Sequence, residues 1–243
     1  MNWIKQTKIL LLAGVLAFGA ASCSDSTSTE GANVQMTAEM DQSGVGSIMA
    51  IKGGAKTAAN EVDSLFITRV RLLVSDLKMH QSGEDTAGGK GDKTVKTGPF
   101  LIQYDSAGSR VFTNATVPAG SYDRIKFEIH KLSSSEVGQF LNDPVFQDFV
   151  TDDRWTVIIE GYVMDEGVRS DFTYRSKQTE NIQVRFNPDL SLAEGSTTQV
   201  ALQFSPKAVF KKGSNLPLDP RDPANHKEME EGIKDALKAL KKG

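Results

Sequence analysis

Arg110-Val-Phe-Thr-Asn-Ala-Thr-Val117, then Pro118-Ala-Gly-Ser121, then Tyr122-Asp-Arg-Ile-Lys-Phe-Glu-Ile-His130 is the stretch whose reading decides the fold. Pro118 fixes φ for a turn, and Gly120 can supply a position with φ > 0. Past the turn, Ile125, Phe127 and Ile129 alternate with Arg124, Lys126, Glu128 and His130. That period of two predicts a strand with one face in a core and the other in water. Arg110–Val117 reads as the strand leading into the turn.

The same signals repeat on both sides. Upstream, Phe100–Tyr104 is a strand, joined to Arg110–Val117 by a hairpin turn at Asp105-Ser-Ala-Gly108. Leu65–His80 is the longest strand signal, with Phe66, Val70, Leu72 and Val74 on one face and Arg69 and Arg71 on the other. After Asp76 the apolar phase moves to Leu77 and Met79, as a β-bulge would produce. Val34–Met40 is a first strand, and Ser47–Lys52 a short candidate. Gln81–Gly98 has almost no apolar residues and reads as a long exposed loop. Its Gly88-Gly-Lys-Gly91 lacks the spacing and the following helix of a phosphate loop.

Downstream the pattern breaks once. Val137, Phe140 and Leu141 stand at i, i+3, i+4, and Phe146, Phe149 and Val150 repeat that stripe after an Asp143-Pro144 start. This predicts two short inserted helices over Ser133–Val150. Strands return at Arg154–Met164, apolar on both faces and so central, at Ser170–Arg175, around Ile182–Phe186 and around Val200–Phe204. After the proline-stiffened Leu216–Pro223, Asn225 with Glu228 reads as a capping box. Met229, Ile233, Ala236, Leu237 and Leu240 continue at helical spacing, with acids at the start and Lys238, Lys241 and Lys242 at the end. The expected architecture is all-β: an antiparallel β-sandwich with two short inserted helices and a C-terminal amphipathic helix packed on it.

The N-terminus reads as a targeting segment. Lys5 and Lys8 precede an apolar Ile9–Phe18, too short to span a bilayer of about 30 Å. Ala20-Ala-Ser-Cys23 resembles the bacterial lipobox, with Ala20 where leucine is usual. Cys23 is the chain's only cysteine. It can form no internal disulfide, and a diacylglyceryl thioether accounts for it. Losing Lys5 and Lys8 moves the formal charge from −3 to −5, which argues against nucleic acid as a partner. The expected organisation is a signal peptide over 1–22, a Ser/Thr-rich tether over 23–33, the sandwich over 34–215, and the proline-stiffened segment with its helix over 216–243. The expected partner is the lipid bilayer, through the Cys23 acyl anchor. Ser24, where aspartate would mark inner-membrane retention, points to the outer membrane.

Ile67–Met79, Val117–Tyr122 and Ile125-Lys-Phe127, with Ile159–Val163, Phe172–Arg175 and Leu218-Asp-Pro, resemble a group of bacterial lipoproteins. These carry a transthyretin-like or carboxypeptidase-regulatory-like sandwich of unassigned function. The resemblance covers most of Leu65–Gly243. It implies a cell-envelope sandwich and supplies no catalytic residues. The strand followed by Pro118-Ala-Gly-Ser-Tyr122 is also similar to the methanobactin-associated periplasmic copper-binding family. That family's tryptophan-rich stretch and later histidine are not found; Trp155 stands alone.

No HExxH, GxSxG, P-loop, GxGxxG or CxxC motif occurs in the chain, so no catalytic residue, enzyme activity or cofactor is expected. The alternative function is periplasmic metal binding, copper or calcium. Its copper ligands would be Met79, His80 and His130, although both histidines read as solvated ends of polar faces. For calcium, Asp219 and Asp222 near Glu228 offer oxygens, but beside prolines they read as turn formers. The paired Asp152-Asp153 reads as surface. Phe140, Phe146 and Phe149, with Trp155, are the candidate surface for an envelope protein or small ligand; the competing reading is ordinary core closing one end of the sandwich.

Overall fold

The computed structural model describes residues 31–41, 61–84, 91–105, 108–210 and 216–242. Cys23, the tether as far as residue 30, Ser47–Lys52 and Gly88–Lys90 lie outside them; the last tether positions, Ala32 and Asn33, already belong to the first strand. The described chain is a two-sheet β-sandwich. One sheet has four strands in the order β11-β10-β1-β5: β1 is Ala32–Met40, β5 Arg110–Val117, β10 Thr197–Phe204 and β11 Leu237–Lys242. It is not wholly antiparallel, because β1 and β10 pair in parallel from Asn33↔Thr197 to Met40↔Phe204.

The other sheet is built on β2 (Ser64–Gln81). Along one edge β2 pairs first with β7 (Val157–Asp165) and then with β6 (Gly120–Ile129). Along the other it pairs with β4 (Phe100–Asp105) and β3 (Asp92–Lys96). β8 (Val168–Ser176) extends β7, and β9 (Glu180–Leu192) extends β6.

Two bulges set the faces of β2. The expected one lies at Asp76, whose φ is +54°, with the register against β6 shifting between Ser75 and Lys78. A second shift against β7, between Ile67 and Arg69, was hidden by the polar Thr68-Arg69 pair. Leu65, Ile67, Val70, Leu72, Val74, Leu77 and Met79 therefore all reach the core between the sheets. Phe66 does not share the face of Val70. It stacks on Tyr162 outside, with ring centroids 4.5 Å apart.

The turn between β5 and β6 carries the chain from one sheet to the other. Gly120 takes φ +148° there. Tyr122 is fully buried, and its hydroxyl donates to the Pro118 carbonyl at 2.7 Å, the arrangement of a tyrosine corner. Asp105 to Gly108 also crosses between sheets: Asp105↔Gly108 is an isolated bridge, and β4 and β5 belong to different sheets. The expected hairpin in one ladder is corrected accordingly. So is the Gln81–Gly98 loop, part of which is β3, with Val95 turned into the core.

The inserted region holds one helix, α1 (Ser134–Phe140); from Leu141 the chain runs in turns rather than a second helix. Near the C-terminus, α2 (Pro206–Phe210) packs on α3 (His226–Asp235). The expected capping box is absent. Asn225 makes no side-chain cap, and its amide donates instead to the Asp219 carbonyl at 2.9 Å. α3 stops at Asp235, and Leu237–Lys242 leaves it to pair antiparallel with β10.

Candidate functional site

Outside the central core, one apolar cluster sits on the outer face of the larger sheet. β2 contributes Leu73 and β7 contributes Ile158, and the segment between β6 and β7 covers them with Leu132, Phe146 and Phe149. Phe140, Val137, Val150 and Trp155 pack against this cluster, half-buried. The four predicted aromatics are thus brought together. Phe140 and Phe146 stack with centroids 4.2 Å apart, Phe149 is fully buried, and Lys177 lies 4.8 Å from the Trp155 ring centroid.

Local chemistry holds the insert in place. Ser133 Oγ accepts the Glu136 N–H at 3.3 Å, and the Ser133 N–H donates to Glu136 Oε2 at 2.7 Å, a reciprocal cap on α1. His130 Nε2 reaches the same carboxylate at 3.1 Å. Beneath the turns, Arg71 projects outward from β2 yet is only 8% exposed. It pairs with Asp148 at 2.7 Å, lies 3.6 Å from Glu160, and sits 5.5 Å from the Phe149 centroid. Burying a guanidinium is costly unless it is paired, so Arg71 ties the turns to the sheet. The Arg69 hydrogen bond and the Arg71 charge hold the Glu160 carboxyl below its ordinary value against burial. Arg154 closes the loop by donating to the Leu132 carbonyl at 3.2 Å.

Phe146 and Phe149 therefore act as packed core rather than as the lining of an open pocket. The large apolar side chains this insert offers to solvent are Leu141 and Val145, 54% and 57% exposed. Sequence reasoning missed both. Leu141 fits the helical stripe of Val137 and Phe140, but α1 ends at Phe140 and Leu141 turns outward. The Asp143-Pro144 signal belongs to a turn, in which Asp143 Oδ1 accepts the Val145 N–H at 2.9 Å.

The three candidate copper ligands are not brought together. Met79 faces the central core. His80 points to the opposite face and, contrary to the expectation of a solvated side chain, is 1% exposed. Its Nδ1 lies 2.6 Å from Asp92 Oδ1, which also accepts from Lys126 Nζ at 2.8 Å. His80 is opposite Arg124, so His130, six positions on and just past the end of β6, lies about 20 Å away. Among the described residues, no group of three or more His, Cys, Asp or Glu side chains is placed to hold a metal ion. Asp219 accepts from Arg221, and Asp222 accepts the Ala224 N–H; both are engaged in turns. Beside His80, a shallow polar groove of about 400 Å³ runs over Asp76, Lys78, Asp92, Lys126, Glu128 and Gln183.

No protein-family model matches the chain, and no curated protein is significantly similar to it. Among solved structures it is similar to MbnP from Methylosinus trichosporium, at 12% identity over 87% of this chain and 98% of that one. The TM-score is 0.45.

Proposed function

We propose that the protein is a bacterial envelope lipoprotein of the transthyretin-like sandwich group. In this reading it is held on the outer membrane by a diacylglyceryl chain on Cys23, and its sandwich serves as a non-enzymatic binding or structural module. The observation that carries the proposal is the lone thiol directly after a signal-like segment, with the sandwich beginning at Ala32, nine positions on. A tether of that length reaches about 30 Å at most. On this reading the end of the sandwich bearing Gly31, Val117 and Thr197 faces the bilayer. The aromatic insert follows Ile129, at the far end of β6 from Gly120, and is turned away from it. A rigid, partly apolar surface held off the membrane supports a binding role.

Cys23→Ala should leave the chain unprocessed or release it from membranes. If the variant is processed and fractionates with the outer membrane like wild type, the anchor reading fails. Metal analysis of the purified chain separates the proposal from the copper or calcium alternative. No stoichiometric metal is expected, and one copper per chain, lost on changing His80 and His130 to Ala, would reverse the preference.

A further inference from the structure

We propose that the seam between β9 and β11 binds a single-chain anionic amphiphile, its aliphatic tail in the seam and its carboxylate on Lys241. β9 is the edge strand of the larger sheet and β11 an edge strand of the smaller. They close one side of the sandwich without a ladder between them: among the described residues β9 pairs with β6, and β11 with β10. The course of β9 holds this seam open. Arg185 pairs with Arg124 and Leu190 with Tyr122, so Phe186 to Asp189 stand against Asp123 alone. That excess is a wide bulge, whose Asn187, Pro188 and Asp189 are exposed. Asp189 Oδ2 accepts from Ser82 Oγ at 2.6 Å, which pins the bulge to the end of β2.

Behind the bulge lies a cavity of about 250 Å³. Phe186, Leu190 and Ala239, all nearly buried members of the central core, form its floor, and Pro188 and Leu240 its rim. One lining side chain is out of keeping with an apolar seam. Lys241 is opposite Val200, a core residue, and so leaves β11 on the core-facing side, as Leu237 and Ala239 do. Standing at the end of the strand, it lays its stem along the cavity and keeps its ammonium in water. Lys242 beside it is matched by Glu39 at 2.6 Å. Lys241 has no ion-pair partner among the described residues, and the acid in the lining, Asp189, is engaged by Ser82. An unmatched ammonium at the mouth of an apolar cavity selects a ligand with an aliphatic body and an anionic end.

The volume has room for about eight water-sized groups. That suits one short aliphatic chain and is too small for the two chains of a phospholipid. The cavity also lies towards the end of the sandwich that carries Gly120 and Thr197, since Leu190 pairs with Tyr122 and Lys241 with Val200. On the lipoprotein reading that end faces the bilayer, into which such amphiphiles partition. Only this supply rests on that reading; the lining and its charge do not.

The test photolabels the full chain, in neutral phosphatidylcholine vesicles, with octanoate carrying a diazirine at its tail, and maps the adducts by peptide mass spectrometry. Labelling should saturate and fall on Phe186–Leu190 and Ala239–Lys241. Octanoate should compete it away, and octyltrimethylammonium should not. Lys241→Glu should weaken labelling about tenfold, the loss of one charge-assisted contact. Lys238→Glu, the same charge change on the opposite face of β11, should leave it unchanged. Both lysines are exposed, and unchanged melting curves confirm intact folding. Labelling that does not saturate, equal competition by the cation, or equal loss from the two lysine variants would each overturn the inference. So would suppression by phosphatidylglycerol vesicles with no response to octanoate, because the lysines would then meet headgroups and the cavity would take nothing. The anchor is read separately, from fractionation of the same chain in cells: a soluble chain that labels at the seam would overturn the anchor and leave the site standing, and a membrane-bound chain without label would do the reverse.

Discussion

Phe127 and Lys126 are neighbours in β6 whose side chains leave on opposite faces. Phe127 is 3% exposed in the central core, and emptying that site with alanine should cost about 3–5 kcal/mol. Gly120 takes φ +148°, and a Cβ there would stand 3.2 Å from Gln81 Nε2. Gly120→Val should therefore cost about 1–3 kcal/mol. The outward Lys126 is not a solvated lysine. It donates to Asp92 beside buried His80, so Lys126→Ala should cost about 1 kcal/mol. Denaturant melts should give the order Phe127, Gly120, Lys126; equal damage from the first and last would break the assignment of faces. The Lys126 effect should also depend on pH. Burial pushes the Asp92 carboxyl up, but hydrogen bonds from Lys126 and His80 outweigh it and hold the group below its ordinary 3.8. A carboxyl depressed on folding contributes stability above its unfolded pKa and loses it as pH falls through the folded value. The gap between wild type and Lys126→Ala should thus be full at neutral pH and close as the pH falls below that ordinary value. A gap unchanged over that range would mean that the lysine acts by packing alone.

Helix α3 tests how tightly the C-terminal elements are fitted. A Cβ on Gly232 would stand 2.6 Å from the Ala208 carbonyl oxygen and 2.8 Å from Val209 Cα, both backbone of α2. Alanine gains about 1 kcal/mol of helix propensity over glycine. Forcing α2 and α3 apart costs about 1–3 kcal/mol, so Gly232→Ala should lower Tm, and a raised Tm would show that the two helices are not in close contact. The elements differed in how plainly they could be read. Alternation marks β6, β9 and β10 because one face of each is wet. β3 has only Val95 as an apolar side chain, too little to show a period. Leu237 and Leu240 fit a helical stripe, while Leu237 and Ala239 fit a strand, and six residues cannot separate the two periods. The aromatic cluster was legible as a group. Its support was not, because Arg71 reads as an outward charge until Asp148 and Phe149 are folded over it.

Alternation also says nothing about which sheet a strand joins. The turns at Asp105–Gly108 and Val117–Gly120 look alike in sequence, and both pass the chain across the core; only the finished sandwich distinguishes a crossing from a hairpin. Sheet membership has a further consequence in the pairing of β1. That strand lies between β5 and β10, and its contact with β10 joins residues as far apart as Gln35 and Gln199, 164 positions along the chain. A chain truncated before Thr197 should therefore show no cooperative melt, and a sharp transition in it would show that the larger sheet folds alone. The ribosome delivers β1 first and β10 roughly 10–30 s later at ordinary rates of synthesis. Through that interval the smaller sheet cannot close. Its apolar Val34, Met36, Ala38 and Met40 stay uncovered for as long, so yield in the cell should be set by what shields them before the last fifth of the chain arrives.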